Sequence, residues 1–384
     1  MKILTVDIGT GTQDIFLYDS RVDIENGFKL VVPSPTMMVR RRLQAAARRR
    51  QPVLLTGVIM GGGPSAWAAE DHLRAGLAVY ATPDAARTFN DDLEAVASMG
   101  VRLVSEDEAA RLPDSVLRLE LRDFDFPALA RAFEGFGVRL DDLDAVAVAV
   151  FDHGDSPPGY SDRQFRFDYL DERIRGLNRL SAFAYRAEDV PGIMTRLMAV
   201  VRSAGDLPAP LVVMDTAPAA VLGATFDAQV RGRSRVLIAN VGNFHTLAFR
   251  LGPGGIEGVF EHHTGEIDLP KLEGLLRHLA DGTLRHEDVF ADMGHGALVY
   301  GREPLLLGNG DYDVAVTGPR RNLMRAGGGR GVRAYFAVPF GDMMIAGCFG
   351  LLAATADVLP EMADPIRRSL HGEGGSGTAP WDIS

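Results

Sequence analysis

An apolar, β-branched stretch at residues 3–8 runs straight into Gly9-Thr10-Gly11, and a second stretch suited to a strand follows at 13–18. Two strands joined through a Gly/Thr turn make a β-hairpin. The arrangement returns far downstream, with an apolar run at 236–239, the turn Val241-Gly242-Asn243 and a return strand at 245–251. Between and after the hairpins come short apolar runs at 53–59, 145–151, 211–214 and 314–316. Continuous runs of that kind predict strands covered on both faces. Further short strands are predicted near 28–32, 77–81 and 101–104. Helices are predicted over 36–50, 126–136, 190–203, 219–224, 269–279 and 343–354, with Ser65 capping another. The order is hairpin, α/β, hairpin, α/β. It predicts an internal duplication, visible in the order of elements rather than in repeated residues.

A chain of 384 residues that is 46% hydrophobic can bury a core in each of two lobes. The expected boundaries are 1–225 for the first lobe, with an insertion at about 33–121, then 226–370 for the second, and a Gly/Ser/Pro-rich, mobile tail at 371–384. A net charge of −11 opposes general nucleic-acid affinity. The single cysteine, Cys348, excludes an intramolecular disulfide framework and any Cys-rich cluster made by one chain. The first residues predict a strand and not a secretory signal. No apolar run of about 18 residues is free of Gly, Pro and charge, so no membrane partner is expected. Cytoplasmic localisation is the expectation that follows, with homo-oligomerisation left open.

Turns of Gly and Thr carry chemistry. Gly lets the backbone approach a ligand closely and adopt positive φ. Successive N–H groups then converge on an anion, with Thr hydroxyls as added donors. Asp7, at the end of the first strand, could hold Mg²⁺ through water. A plain hairpin would use the same residues, so the turn alone does not decide.

The chain resembles the actin-like ATPase superfamily of sugar kinases, actin and heat-shock chaperones in five landmarks that occur in order. Asp7-Ile8-Gly9-Thr10-Gly11-Thr12 resembles its first phosphate loop, with Gln13 next to it. The run from Asp215 to Ala224 resembles its first connecting helix, whose small residues let the lobes pack closely. Asn240-Val241-Gly242-Asn243-Phe244-His245-Thr246 stands at the second phosphate loop, Thr317-Gly318-Pro319 at the adenosine loop, and Gly341 to Cys348 at the second connecting helix. More narrowly, the chain resembles, through Asp152-His153-Gly154 and Gly294-His295-Gly296 as well, a family of unknown function labelled pyruvate formate-lyase activating enzyme. The resemblance implies a duplicated, ribonuclease H-like α/β fold of two lobes around a nucleotide cleft. It also implies ATP with Mg²⁺ as ligands and an unidentified small acceptor. Asn240 stands where the superfamily usually has Asp, Asn243 where Gly is common, and Pro319 where a second Gly is usual. A radical activase needs three cysteines for its cluster, and this chain has one.

Asp152 and His153 abruptly end the apolar run at 145–151. Strand C-terminal ends face the ligand crevice in open α/β sheets. Either side chain is therefore a candidate general base on an acceptor hydroxyl; the plainer reading is a turn cap and a packed ring. His245, His262, His263 and His295 could converge with His153 on a metal, flanked by Glu261 and Glu266, although no helical His-x-x-x-His spacing is present. Structural or substrate-binding roles are preferred for them. Gly61-Gly62-Gly63-Pro64-Ser65 is either an anion site at a helix start or a tight turn. The leading expectation is an ATP-dependent phosphotransferase or ATPase. Its rivals are a non-catalytic nucleotide-binding module of the same fold and a histidine-centred metal enzyme.

Overall fold

A computed structural model of the chain describes residues 1–301, 303–326, 331–375 and 378–382. Residues 376–377 and 383–384 of the expected tail lie outside the described residues.

Three sheets organise the chain. The strands are β1 (Lys2–Ile8), β2 (Thr12–Asp19), β3 (Phe28–Pro33), β4 (Val53–Gly57), β5 (Val79–Ala81), β6 (Arg102–Leu103), β7 (Leu117–Leu121), β8 (Ala145–Val150), β9 (Ala184–Arg186), β10 (Leu211–Asp215), β11 (Val236–Val241), β12 (His245–Gly252), β13 (Gly255–His263), β14 (Gly296–Val299), β15 (Val314–Thr317) and β16 (Ala334–Phe336). The first sheet has the order β3-β2-β1-β8-β10-β9 and the second β14-β13-β12-β11-β15-β16. In each, an antiparallel hairpin continues into a third antiparallel strand, and a later strand joins the free edge of the first in parallel. This is the duplicated α/β architecture of the actin-like fold. Strands β4 to β7 form a separate parallel sheet, ordered β6-β5-β4-β7.

The duplication holds at the level of register. Gly9 N–H donates to the Thr12 carbonyl at 2.9 Å, and Gly242 N–H to the His245 carbonyl at 2.9 Å. Asp7 stands opposite Asp14 across the first hairpin, and Asn240 opposite Leu247 across the second. One constant sequence offset relates all four positions. His245 thus occupies the place in the second lobe that Thr12 occupies in the first.

Strand β8 reads Ala-Val-Ala-Val-Ala-Val and is buried throughout. Side chains alternate across a sheet, so its valines join one core with Phe167, Leu170 and Leu197. Its alanines face another with Cys348, Phe349 and Leu352. Small residues on that face admit the second connecting helix, Ala346–Val358. It packs against the first, Thr216–Ala224, at glycines. A Cβ on Gly223 would lie 1.7 Å from the Ala346 carbonyl oxygen, and one on Gly350 would lie 1.8 Å from that of Ala219. Both glycines are therefore dictated by the distance between backbones.

Several local expectations shift. The first connecting helix starts at Thr216, because the Asp215 side chain caps it by accepting from Ala217 N–H. The helix expected at 190–203 is Thr195–Ala204, because a separate turn precedes it, closed by the Met194 N–H donating to the Pro191 carbonyl at 2.8 Å. The helix expected from 343 begins at Ala346, after a turn in which Phe340 has φ of 50°. Ser65 caps no helix: Pro64 opens that helix with Gly63 before it, and the Ser65 hydroxyl turns to Thr36. The helix Asp162–Gly176 and strand β13 are additions to the sequence reading.

Candidate functional site

One cavity of about 1190 Å³ separates the lobes. Asp7, Gly9, Thr10, Gly11, Thr12, Asp152 and His153 line it from the first lobe. Asn240, Gly242, Asn243, His245, Thr317 and Gly318 line it from the second. Gln13 and Thr246 point elsewhere. The Gln13 amide donates to the Pro33 carbonyl, and the buried Thr246 hydroxyl bonds that of Thr264 at 2.9 Å.

The two Gly turns face each other closely. A Cβ on Gly11 would lie 2.7 Å from Asn243 Nδ2. Neither turn uses positive φ at its glycines, so here glycine serves close approach and not left-handed backbone. The adenosine-loop candidate does need it: Gly318 has φ of +97°, and a Cβ there would lie 2.5 Å from Asn240 Oδ1. The insertion closes over the second turn. Gly63, with φ of +57°, admits the Phe244 ring within 2.5 Å of its Cβ position, and Trp67 meets the same ring edge-on at 5.4 Å.

Asp14 is the carboxylate that the sequence reading passed over. It lines the cavity, is buried, and its Oδ1 has no hydrogen-bond partner among the described residues. Burial pushes its carboxyl up to about 8, with the facing Asp7 adding to the shift. Burial likewise pushes Asp7 up to about 7, against a 2.5 Å hydrogen bond from the Thr216 hydroxyl. Two carboxylates opposed on a hairpin resist ionising together. The signal available in sequence was an acidic residue directly ahead of the apolar run Ile15-Phe16-Leu17-Tyr18.

Asp152 is fully engaged. Its Oδ1 accepts from Gly154 N–H at 2.9 Å, and its Oδ2 from Arg196 and Leu197 N–H at 3.0 and 2.8 Å. It ties the end of β8 to the start of the helix Thr195–Ala204. His153 instead presents its ring to the cavity, beside His245 and His295. Burial lowers His153 to about 3, with Arg166 and Arg196 adding to that, and lowers His245 and His295 as well. Burial thus disfavours the protonated form of all three rings. His262 is set apart, its Nε2 3.2 Å from Asp292.

Behind the histidines lies a buried charge relay. Arg166 donates to Asp215 Oδ2 at 2.8 Å, to Glu261 Oε2 at 2.6 Å and to the Asp152 carbonyl at 2.8 Å. It joins β10 and the first connecting helix to β13 of the other lobe, with its guanidinium over the Phe151 ring at 4.1 Å. Burial drives Glu261 up to about 7, with Arg166 opposing that shift.

A duplicated chain whose two Gly turns meet in one deep cleft is a two-lobed protein of the actin-like fold. Residues 60–323, more than half the chain, match the family described as "Putative pyruvate format-lyase activating enzyme (DUF1786)", and the chain belongs to that family. Among solved structures it is similar to the ROK hexokinase from Thermus thermophilus, at 14% identity over 95% of this chain and 100% of that one, with a TM-score of 0.30. It is also similar to the activator of the 2-hydroxyisocaproyl-CoA dehydratase from Clostridium difficile with bound ADPNP, at 10% identity, 99% and 100% coverage and a TM-score of 0.32. The ethanolamine utilization protein EutJ from Carboxydothermus hydrogenoformans gives 12% identity, 91% and 89% coverage and 0.31. Likenesses at such TM-scores carry no weight for function, and the fold rests on strand order and register. No curated protein matches the chain. Among the described residues no single helix is long and apolar enough to cross a membrane.

Proposed function

We propose that the chain binds ATP with Mg²⁺ between its lobes and transfers the terminal phosphoryl group to a small acceptor or to water. The observation that carries this is the meeting of two Gly turns, far apart in sequence, at one cleft with identical closing hydrogen bonds. A cavity of about 1190 Å³ exceeds the ~300–1,000 Å³ typical of single small-ligand sites, leaving room for nucleotide and acceptor together.

The donor set fits Mg²⁺. Asp7 and Asp14 offer hard carboxylate oxygens to the cleft, Asp14 Oδ1 without a hydrogen-bond partner among the described residues, and burial raises both carboxyls. Bound there, Mg²⁺ would neutralise charge on the phosphate oxygens. Thr10, Gly11, Gly242 and Asn243 would hold the phosphates, and Thr317-Gly318 would border the nucleoside. Asp152 would position the end of β8, its carboxylate saturated by three backbone N–H groups, and His153 would meet the acceptor. The second hairpin has Asn240 and Leu247 at the two positions that carry Asp7 and Asp14 in the first, so that carboxylate pair has no counterpart there.

An iron–sulfur cluster does not fit. Cys348 is the only cysteine, and its buried thiol donates to the Asp14 carbonyl at 3.1 Å. We assign no radical-activating role.

Calorimetric titration of nucleotide-free protein with ATP, with and without Mg²⁺, tests the reading. Absence of heat at millimolar ATP sinks it. The asymmetry between Asp7/Asp14 and Asn240/Leu247 favours one alternative, a non-catalytic nucleotide-binding module. That alternative expects tight binding, no phosphate release and full biological activity in Asp7→Ala.

A further inference from the structure

We infer that His153, His245 and His295 form a binding site for one divalent transition-metal ion of the zinc class, separate from the Mg²⁺ position at Asp7 and Asp14. The site goes beyond the nucleotide reading and does not depend on it.

Three elements bring the rings together. His153 follows β8 in the first lobe, His245 opens β12 directly after the second Gly turn, and His295 precedes β14, its backbone N–H held by the Glu261 carbonyl at 2.9 Å. One ligand nitrogen from each lies within 4.8 Å of the others. The Nε2 atoms of His153 and His295 are 3.3 Å apart. Two tetrahedral ligands at Zn–N distances of about 2.0–2.1 Å stand about 3.3 Å from each other. That pair therefore already has the spacing of two ligands on one ion, and His245 completes the set by a small inward movement.

A second observation is independent of the rings' proximity. His295 Nδ1 and Glu261 Oε1 are both buried and both without a hydrogen-bond partner among the described residues, and they stand 3.7 Å apart. Buried polar atoms are normally paired. Metal-bound histidines normally give their other N–H to a carboxylate, which fixes tautomer and ring direction. If Nε2 of His295 is spent on a metal, its proton sits on Nδ1, facing Glu261. A modest closing of the gap then satisfies both orphaned atoms at once. Glu261 is anchored for the task by Arg166. His245 is steadied from its other face by the Phe151 ring, stacked at 4.1 Å.

The donor chemistry sets the ion class. Three neutral imidazoles suit Zn²⁺ and its neighbours, and not Mg²⁺ or Ca²⁺, which favour oxygen. Three protein ligands leave a fourth position open, the pattern of a site that engages an external oxygen and not of a purely structural one. His153 and His245 both line the large cavity, so that position opens toward the acceptor compartment beside the phosphate turns.

The test is metal content and spectroscopy on protein purified without a histidine tag. Elemental analysis is expected to find a stoichiometric zinc-class ion. Stripping with chelator and adding Co²⁺ is expected to give the visible absorption of four-coordinate Co²⁺, displaced by Zn²⁺. His153→Gln and His245→Asn are each expected to reduce bound metal at least tenfold. Glu261→Gln is expected to weaken it ~10–100-fold through the orientation of His295. A wild-type protein that takes up neither Zn²⁺ nor Co²⁺ overturns the proposal, as does unchanged metal content in both histidine variants. If the variants misfold, the Co²⁺ titration of wild type decides alone. Mg·ATP calorimetry on the stripped protein separates the two readings: binding there with no zinc-class metal in the native protein refutes this site and leaves the nucleotide reading standing.

Discussion

Replacing Gly347 with alanine probes the Mg²⁺ assignment at its tightest point. A Cβ there would lie 1.8 Å from Asp7 Oδ2 and 2.5 Å from its Cγ. Non-bonded carbon and oxygen do not approach that closely, so the Asp7 carboxylate must retreat by more than an ångström. Its bond from the Thr216 hydroxyl, 2.5 Å long, breaks with that movement. A charge-assisted hydrogen bond is worth ~1.5–3 kcal/mol. Overpacking by one methyl costs ~1–3 kcal/mol, and the two losses share the same displacement. The expected fall in stability is thus about 2–3 kcal/mol, which leaves the protein folded. The functional effect is larger, because an ångström of misplacement costs ~10²-fold when geometry carries catalysis. Mg·ATP turnover is expected to fall about 100-fold, while Mg²⁺-free ATP binding changes little. A phosphate-release assay, calorimetry without Mg²⁺ and a denaturant melt measure the three quantities, and calorimetry with Mg²⁺ gives the metal dependence. Folded Gly347→Ala protein with wild-type Mg²⁺ dependence refutes the assignment of Asp7.

Proton linkage gives a second expectation. Burial pushes the folded carboxyls of Asp7 and Asp14 up to about 7 and about 8, from an ordinary 3.8, so between about pH 4 and pH 8 the folded chain holds protons that the unfolded chain has shed. Their contribution to the stability of the metal-free protein therefore falls as pH rises through that window, and Mg²⁺ binding at pH 6 releases protons, seen as a buffer-dependent calorimetric heat. Arg166→Met leaves Asp215 and Glu261 as unpaired buried carboxylates and is expected to cost ~3–5 kcal/mol in a denaturant melt. Gly63→Ala combines a backbone conformation reserved for glycine with a clash against the Phe244 ring; it is expected to cost ~1–3 kcal/mol, with raised protease sensitivity in the insertion.

What the sequence made legible was whatever short-range pattern encodes. Gly turns between β-branched runs gave both hairpins, and small residues gave the connecting helices. The helix Asp162–Gly176 escaped because its buried face includes Arg166 and Tyr169 beside Phe167, so it shows no clean apolar stripe. Asp14 escaped for a related reason. Its place opposite Asp7 depends on hairpin register, and a slip of one residue would turn it to the other face. The closeness of His153, His245 and His295 depends on how the lobes dock, which no local spacing records. Asp152, the carboxylate that pattern favoured for chemistry, proved to be held by three backbone N–H groups.

The register of the duplication explains why these gains and losses fall where they do. The constant offset pairs Asp7 with Asn240, Asp14 with Leu247 and Thr12 with His245. Two copies of one hairpin have thus diverged at the same three positions, all turned to the cleft or its floor. The first copy keeps two carboxylates, a hard-oxygen pair. The second has neither, and carries an imidazole at the position of the Thr12 hydroxyl, with Glu261 and His295 gathered behind it from β13 and the approach to β14. A symmetric dimer of identical lobes would present the same donors to both sides of a ligand. The first lobe presents the carboxylates Asp7 and Asp14 and one imidazole, His153, and the second presents two imidazoles, His245 and His295, with Arg166 tying the lobes across the interface. Such asymmetry suits a cleft that must hold two chemically different partners at once, a phosphate chain between the two turns with its hard cation beside Asp7 and Asp14, and an acceptor beside the imidazoles.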